Sequence, residues 1–306
     1  MRLGFSIVQV GAAAQVSTIG RLIREAESVG YDSLWVLDRL LFPLQPGERY
    51  PASADGELPD AYRRVFDPLA LLAYASAITE RVSLGTSVLN LPWYNPLLLG
   101  RALASIDQLS QGRARLGVGT GWCSQEYTAA GAVWSSRGAA LDESLDVLAK
   151  LWTTSPIEHQ GEFYSIPPSL VELRPVNGAI PVYMAAYTPA AMRRVALRGD
   201  GWMPAGIPAP AMQQMFAGMR QMAEEAGRDP AQLEMIVRGN VTLLEKPLGQ
   251  DRPVFVGNLQ EIAADIRAAR AAGAHELLFD PQFSPGMDSP DALEACMHTL
   301  YELSQT

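Results

Sequence analysis

Where the short apolar runs of this chain end, small, polar or acidic residues follow. The sets are Asp38-Arg39, Thr86-Ser87-Val88, Gly119-Thr120-Gly121-Trp122, Ala185-Ala186-Tyr187-Thr188 and Asp280. Small residues at such points let a flat ring or a phosphate approach the backbone. Thr188 before Pro189 reads as a helix N-cap with proline at the first helical position, and the first-turn amides suit an anion. Together they suggest a planar, anionic cofactor more than a metal site.

Other reactive chemistry is sparse. His159 is expected to be solvated in a hairpin, His275 to begin a strand, and His298 to lie on the last helix. No Ser/His/Asp or Cys/His set and no metal cluster emerges from them. Cys123 and Cys296 form no disulfide framework, and Cys123 reads as a buried small residue. The run Gly117-Val118-Gly119-Thr120-Gly121 lacks both the lysine of a P-loop and a dinucleotide fingerprint. Gln125 and Glu126 lie just beyond it at a helix start, where solvation and function are equally open. No lysine stands at a strand end for a Schiff base, which counts against an aldolase.

These residues must be positioned by the elements before them. Residues 16–29 keep Val16, Ile19, Leu22, Ile23, Ala26 and Val29 on one helical face, and Gly30 stops the helix. Gly112, Gly199 and Gly273 repeat the helix–glycine–strand junction. Asn258 with Glu261 forms a capping box, and Leu141, Leu145, Leu148 and Trp152 mark another helix. Eight strand candidates follow: 3–9, 33–37, 82–88, 113–118, 181–185, 200–203, 234–243 and 275–279. Helices fit between them, which predicts an α/β fold, a (β/α)8 TIM barrel over residues 1–306 as one domain. A doubly wound sheet is the alternative, weakened because Gly-Ala-Ala-Ala is a poor phosphate fingerprint after the first strand. Insertions fall after strands 2, 4 and 7, at 39–66, 154–180 and 245–256. In a barrel the strand-end sets share one mouth, and the 39–66 segment would cover it.

The chain has 306 residues, 48% of them hydrophobic, and a formal charge of −9. An acidic surface repels phosphate backbones, which counts against nucleic acid as a partner. With no apolar run of about 18 residues and no leader pattern, a cytoplasmic protein without membrane contact is expected.

Several stretches resemble the luciferase-like monooxygenase superfamily. They are Ser33-Leu34-Trp35-Val36-Leu37-Asp38, Leu84-Gly85-Thr86-Ser87-Val88-Leu89 with Tyr94-Asn95-Pro96, and Asp107-Gln108-Leu109-Ser110-Gln111-Gly112-Arg113 with Leu116 to Trp122. Gly161-Glu162-Phe163-Tyr164 and Gly199-Asp200-Gly201-Trp202 extend the match. Within the superfamily the chain is most similar to the branch that uses the deazaflavin coenzyme F420. The resemblance implies a ring resting on a bulge after the third strand, commonly with a non-proline cis peptide, for which Ser87-Val88 is the matching pair. It implies that Asp38 meets the ring edge and that Gln125, Ala185, Ala186, Tyr187 and Thr188 line the ring and its phosphate-bearing tail. Arg39 stands where relatives often carry histidine, and Trp122 where sugar-phosphate dehydrogenases of the branch carry glutamate. Both changes remove a proton-handling group and count against a glucose-6-phosphate dehydrogenase. Tyr187 replaces a smaller residue, so the tail pocket is expected to be narrower or rearranged.

The resulting expectation is hydride transfer between F420 and a small organic substrate held by Trp122 and aromatics of the 39–66 segment. Arg39 would act electrostatically, and Glu126, Tyr187 and Tyr62 are the candidate proton carriers. The alternatives are an FMN-dependent two-component monooxygenase fed by a separate flavin or F420 reductase, and a non-catalytic flavin-binding barrel. A homodimer is a family-level expectation.

Overall fold

The computed structural model describes residues 1–53 and 55–306. Eight strands form the barrel: β1 Arg2–Ser6, β2 Ser33–Val36, β3 Ser83–Thr86, β4 Ala114–Gly119, β5 Val182–Met184, β6 Gly201–Trp202, β7 Glu234–Asn240 and β8 Glu276–Asp280. Each pairs in parallel with the next in chain order. β8 returns to β1, with Arg2 opposite Glu276, so the sheet closes. Closure excludes the doubly wound alternative. Each of the eight sequence candidates contributes one barrel strand, most of them shorter than read; the first, read as 3–9, ends at Ser6. β3 stops at Thr86, breaks at Ser87-Val88, and resumes as Leu89–Asn90 against Val118 and Gly119. β7 stops at Asn240, and Thr242–Leu243 pairs instead with Val256–Gly257 at the end of the third insertion.

The helices are α1 Val16–Val29, α2 Pro68–Ile78, α3 Pro96–Leu109, α4 Ser124–Ala130, α5 Arg137–Thr153, α6 Pro189–Arg198, α7 Ala209–Glu225, α8 Leu259–Ala271 and α9 Pro290–Gln305. Their starts follow from local chemistry. Thr188 caps α6 by accepting from the Ala191 N–H, and Asn258 and Glu261 complete the capping box of α8. α1 ends where Gly30 takes φ +112°, a conformation an L side chain resists. Gly199 differs from the expected pattern: at φ −89° it is extended, and its junction needs no left-handed residue.

The barrel interior is filled in layers by residues of one strand parity. At the N-terminal end, Glu276 is fully buried. It accepts from Ser33 Oγ (2.5 Å) and Trp35 Nε1 (3.0 Å), and pairs with Arg115 (2.6 Å) and Arg2 (3.1 Å). Above it the Trp35 indole packs with Tyr183, Met203, Ile236 and Leu278. A Cβ on Gly85 would come within 2.3 Å of the Trp35 ring, so glycine is what lets β3 pass that indole.

The second insertion is the expected hairpin, Ile157–Gln160 with Ser165–Ser169. The expected solvation of His159 is overturned. Its ring is 7% exposed and lies 3.1 Å from the Glu143 carboxylate, because the hairpin packs on α5.

Candidate active site

The C-terminal mouth of the barrel has three parts: a floor on the β3 bulge, a pocket toward α6, and a lid from the 39–66 insertion.

At the floor, the Ser87–Val88 peptide is cis. Val88 lies against the Trp35 cluster. A Cβ on Gly119 would approach Val88 Cγ2 to 2.9 Å, so glycine lets β4 run beside the bulge. Arg238 of β7 fastens the bulge from inside the barrel. It donates to the Ser87 carbonyl and to Ser87 Oγ (3.1 Å), pairs with Asp280, and donates through Nε to Asn240 Oδ1 (2.9 Å). Sequence reading missed Arg238. The signal was present, because Arg238 follows Ile236 by two residues and so shares the interior face. A charged residue at that parity at a strand's C-terminal end belongs to the mouth.

Asp38, at the end of β2, accepts from the Asn90 N–H (2.8 Å) and the Tyr94 hydroxyl (3.1 Å). Burial pushes its carboxyl up to about 7, with these two hydrogen bonds opposing the shift.

The pocket toward α6 has a volume of about 320 Å³. It is lined by Val118, Gly119, Thr120 and Ala185 at the ends of β4 and β5, and by Thr188, Ala190, Arg137 and Arg194 of α5 and α6 and the α6 cap. Arg194 is spent on Asp142, at 2.6 and 2.8 Å. Arg137 has no carboxylate within 4.0 Å among the described residues. It stacks 3.8 Å from the Trp134 ring and donates to the Trp134 carbonyl. A small-residue wall that ends at an α6 first turn and an unneutralised guanidinium fits a flat ring with an anionic tail. Arg137 was also missed, since nothing in its local sequence marks it.

The other expected cofactor contacts divide. Ala185 and Thr188 line this pocket. Ala186 is buried, its carbonyl accepting from Trp202 Nε1 at 2.9 Å. Tyr187 is 55% exposed and its hydroxyl accepts from the Ala205 N–H at 3.1 Å, so it turns away rather than narrowing the pocket. Gln125 is engaged with the lid, donating to the Gln45 carbonyl (2.5 Å) and accepting from the Gly47 N–H (3.1 Å).

The lid is held to α4. The solvated alternative for Glu126 does not hold: it is 1% exposed and forms a bidentate pair with Arg39, itself buried. The same carboxylate accepts from the Leu40 and Leu41 amides, at 2.8 and 3.2 Å. Glu48 accepts from the Ser124 N–H at the start of α4 (3.1 Å). Arg39 and Glu126, read separately as an electrostatic group and a proton carrier, thus neutralise each other and anchor the lid base. Over the mouth, Tyr50 meets Trp122 (5.4 Å between centroids), Tyr62 meets Phe283 (4.9 Å), and Arg39 lies over Trp122 (4.8 Å). The Tyr50 and Tyr62 hydroxyls are 3.1 Å apart.

One group of potential metal ligands, Glu25, Glu294 and His298, brings ligand atoms within 4.8 Å on α1 and α9. Glu294 already pairs with Arg21 there, and both helices lie outside the barrel mouth. No helix among the described residues is long and apolar enough to cross a membrane.

A family model described as luciferase-like monooxygenase matches residues 1–247. An uncharacterised protein of Mycobacterium tuberculosis is 32% identical over 218 residues, 70% of this chain and 75% of that protein. An F420-dependent glucose-6-phosphate dehydrogenase of Kineococcus radiotolerans is 31% identical over 229 residues, 73% of this chain and 63% of that enzyme. Among solved structures, monooxygenase RslO1 from Streptomyces bottropensis superposes with a TM-score of 0.79 at 21% identity, covering 99% of this chain and 98% of its own. An F420-dependent secondary alcohol dehydrogenase in complex with an F420–acetone adduct gives 0.76 at 17%, covering 98% of each chain. The FMN-complexed oxygenating constituent of 3,6-diketocamphane monooxygenase from Pseudomonas putida gives 0.74 at 17%, covering 99% and 97%. At these identities the solved structures establish the fold alone.

Proposed function

The chain belongs to the luciferase-like monooxygenase family, and on that premise we propose that it is an oxidoreductase using coenzyme F420 on a small organic substrate. The observation that carries the proposal is the pocket between β4, β5 and α6, lined by small residues and by Arg137, which has no carboxylate partner among the described residues. The relative named F420-dependent, matched over 73% of this chain at 31% identity, supports the deazaflavin reading.

When bound, the deazaflavin supplies two-electron redox chemistry at its central ring. This chain's residues do the rest. Arg238 fixes Ser87 and with it the bulge under the ring. Arg137 and the Ala190 amide at the start of α6 would meet the anionic tail. Asp38 would meet the ring edge as a carboxyl that burial pushes up to about 7. Trp122 and the lid aromatics cover the substrate and exclude water. The Arg39–Glu126 pair holds the lid base in register.

Turnover distinguishes the readings. Incubation with reduced F420 and a panel of carbonyl compounds without oxygen should oxidise the coenzyme in the presence of an accepted substrate. Oxygen uptake with reduced FMN, and none of the F420 reaction, would move the assignment to a flavin monooxygenase supplied by a separate reductase. Turnover with neither reduced cofactor would leave a binding protein.

A further inference from the structure

The charges of the mouth are unevenly distributed. On the tail side, Arg137 stands without a carboxylate partner among the described residues. On the lid side, both guanidiniums that face the mouth are already neutralised. Arg39 is bidentate to Glu126, and the two are 4% and 1% exposed at their side chains. Arg238 pairs with Asp280, which is fully buried, and also donates to Ser87 and Asn240. An anionic substrate could recruit either guanidinium only by separating a buried ion pair, which leaves the displaced carboxylate uncompensated.

The walls on this side are flat and aromatic: Trp122, Tyr50, Tyr62 and Phe283, with centroid separations of 4.9 to 5.9 Å. The polar handle is a phenol pair. When one of the Tyr50 and Tyr62 hydroxyls donates to the other, the acceptor's own O–H is left over, and neither hydroxyl has a further partner among the described residues. A free phenolic O–H can donate one hydrogen bond to an acceptor oxygen but brings no positive charge to neutralise an anion. Burial raises Tyr62 well above its ordinary range, so this donor stays protonated.

We propose that the lid side of the mouth takes an uncharged, flat carbonyl compound and discriminates against phosphorylated or carboxylated ones. The inference rests on the reading of the mouth as the active site. Aromatic faces supply stacking area, and the phenol pair supplies one hydrogen bond to the carbonyl oxygen. Among the described residues, a sugar phosphate finds no buried guanidinium without a carboxylate partner beside these aromatic walls.

Titration calorimetry with methyl naphthyl ketone, naphthoate and glucose 6-phosphate tests this, on the protein as purified and again after saturation with F420. The ketone and the carboxylate share one ring system and differ in charge. The expected result is a Kd for the ketone about ten-fold or more below that for naphthoate, and no heat from glucose 6-phosphate. Trp122→Ala and the milder Tyr62→Phe should each weaken binding of the ketone. Equal or tighter binding of naphthoate or glucose 6-phosphate overturns the proposal, as does failure of the ketone to bind. The comparison of the two naphthyl probes needs no variant, so a variant that fails to fold does not blunt it. Failure of the cofactor reading shows separately, as absence of F420 and FMN binding, while the charge preference is still read on the protein as purified.

Discussion

Two side chains at the mouth have consequences that can be measured in isolation. Asp38 titrates near 7 in the folded protein against about 3.9 unfolded. A raised folded value means its contribution to stability is fully present below the unfolded value and is lost as pH rises toward 7. Asp38→Asn keeps an acceptor for the Asn90 N–H and removes the titration. The variant should therefore melt at a higher temperature than wild type at pH 8, with the gap closing toward pH 4. A gap independent of pH between 4 and 8 would contradict the assignment. Glu126 is the second case. Glu126→Gln leaves Arg39 buried beside a neutral group and weakens the acceptor for Leu40 and Leu41. Loss of a buried partner costs about 3–5 kcal/mol. Denaturant unfolding should show it, and limited proteolysis should cut faster within 40–48 than in wild type. Unchanged proteolysis would mean that the pair does not hold the lid.

At the scale of elements, the barrel was legible because each strand is an apolar run closed by a glycine or a helix cap. The periodicity alone located Val16–Val29, and the Asn258–Glu261 box located α8. What was not legible is long-range. Arg39 and Glu126 are 87 residues apart, and Arg238 and Ser87 are 151 apart, so no local pattern announces either contact. His159 was misread because the residue that buries it against Glu143 belongs to another element. Strand parity would have recovered Arg238, which shares its face with Ile236 and lies opposite Leu278 across the β7–β8 pair, two residues before the Asn240–Asp280 pair. Parity also explains Gly85, which faces the Trp35 ring. Gly85→Ala should destabilise by about 1–3 kcal/mol through overpacking, with the denaturation midpoint shifted and the slope preserved. A neutral result would mean that the indole can move, and that the central layer is looser than it stands here.

The whole molecule carries a net charge of −9, yet an unneutralised guanidinium lines the pocket beside α6. An acidic protein that keeps such a local cation is suited to capture an anionic cofactor at that point while repelling anions elsewhere. The barrel supplies the frame, with Glu276 and its arginines closing the N-terminal end and the mouth left to insertions. The most direct measurement is equilibrium titration of wild type and Arg137→Ala with F420 and with FMN, at low and high salt. The account predicts tighter binding of F420 than of FMN, weakened by salt. It also predicts that Arg137→Ala loses about ten-fold or more in F420 affinity, as expected for one charge-assisted hydrogen bond. Equal F420 affinity in the two proteins, or no binding of either cofactor, would contradict it.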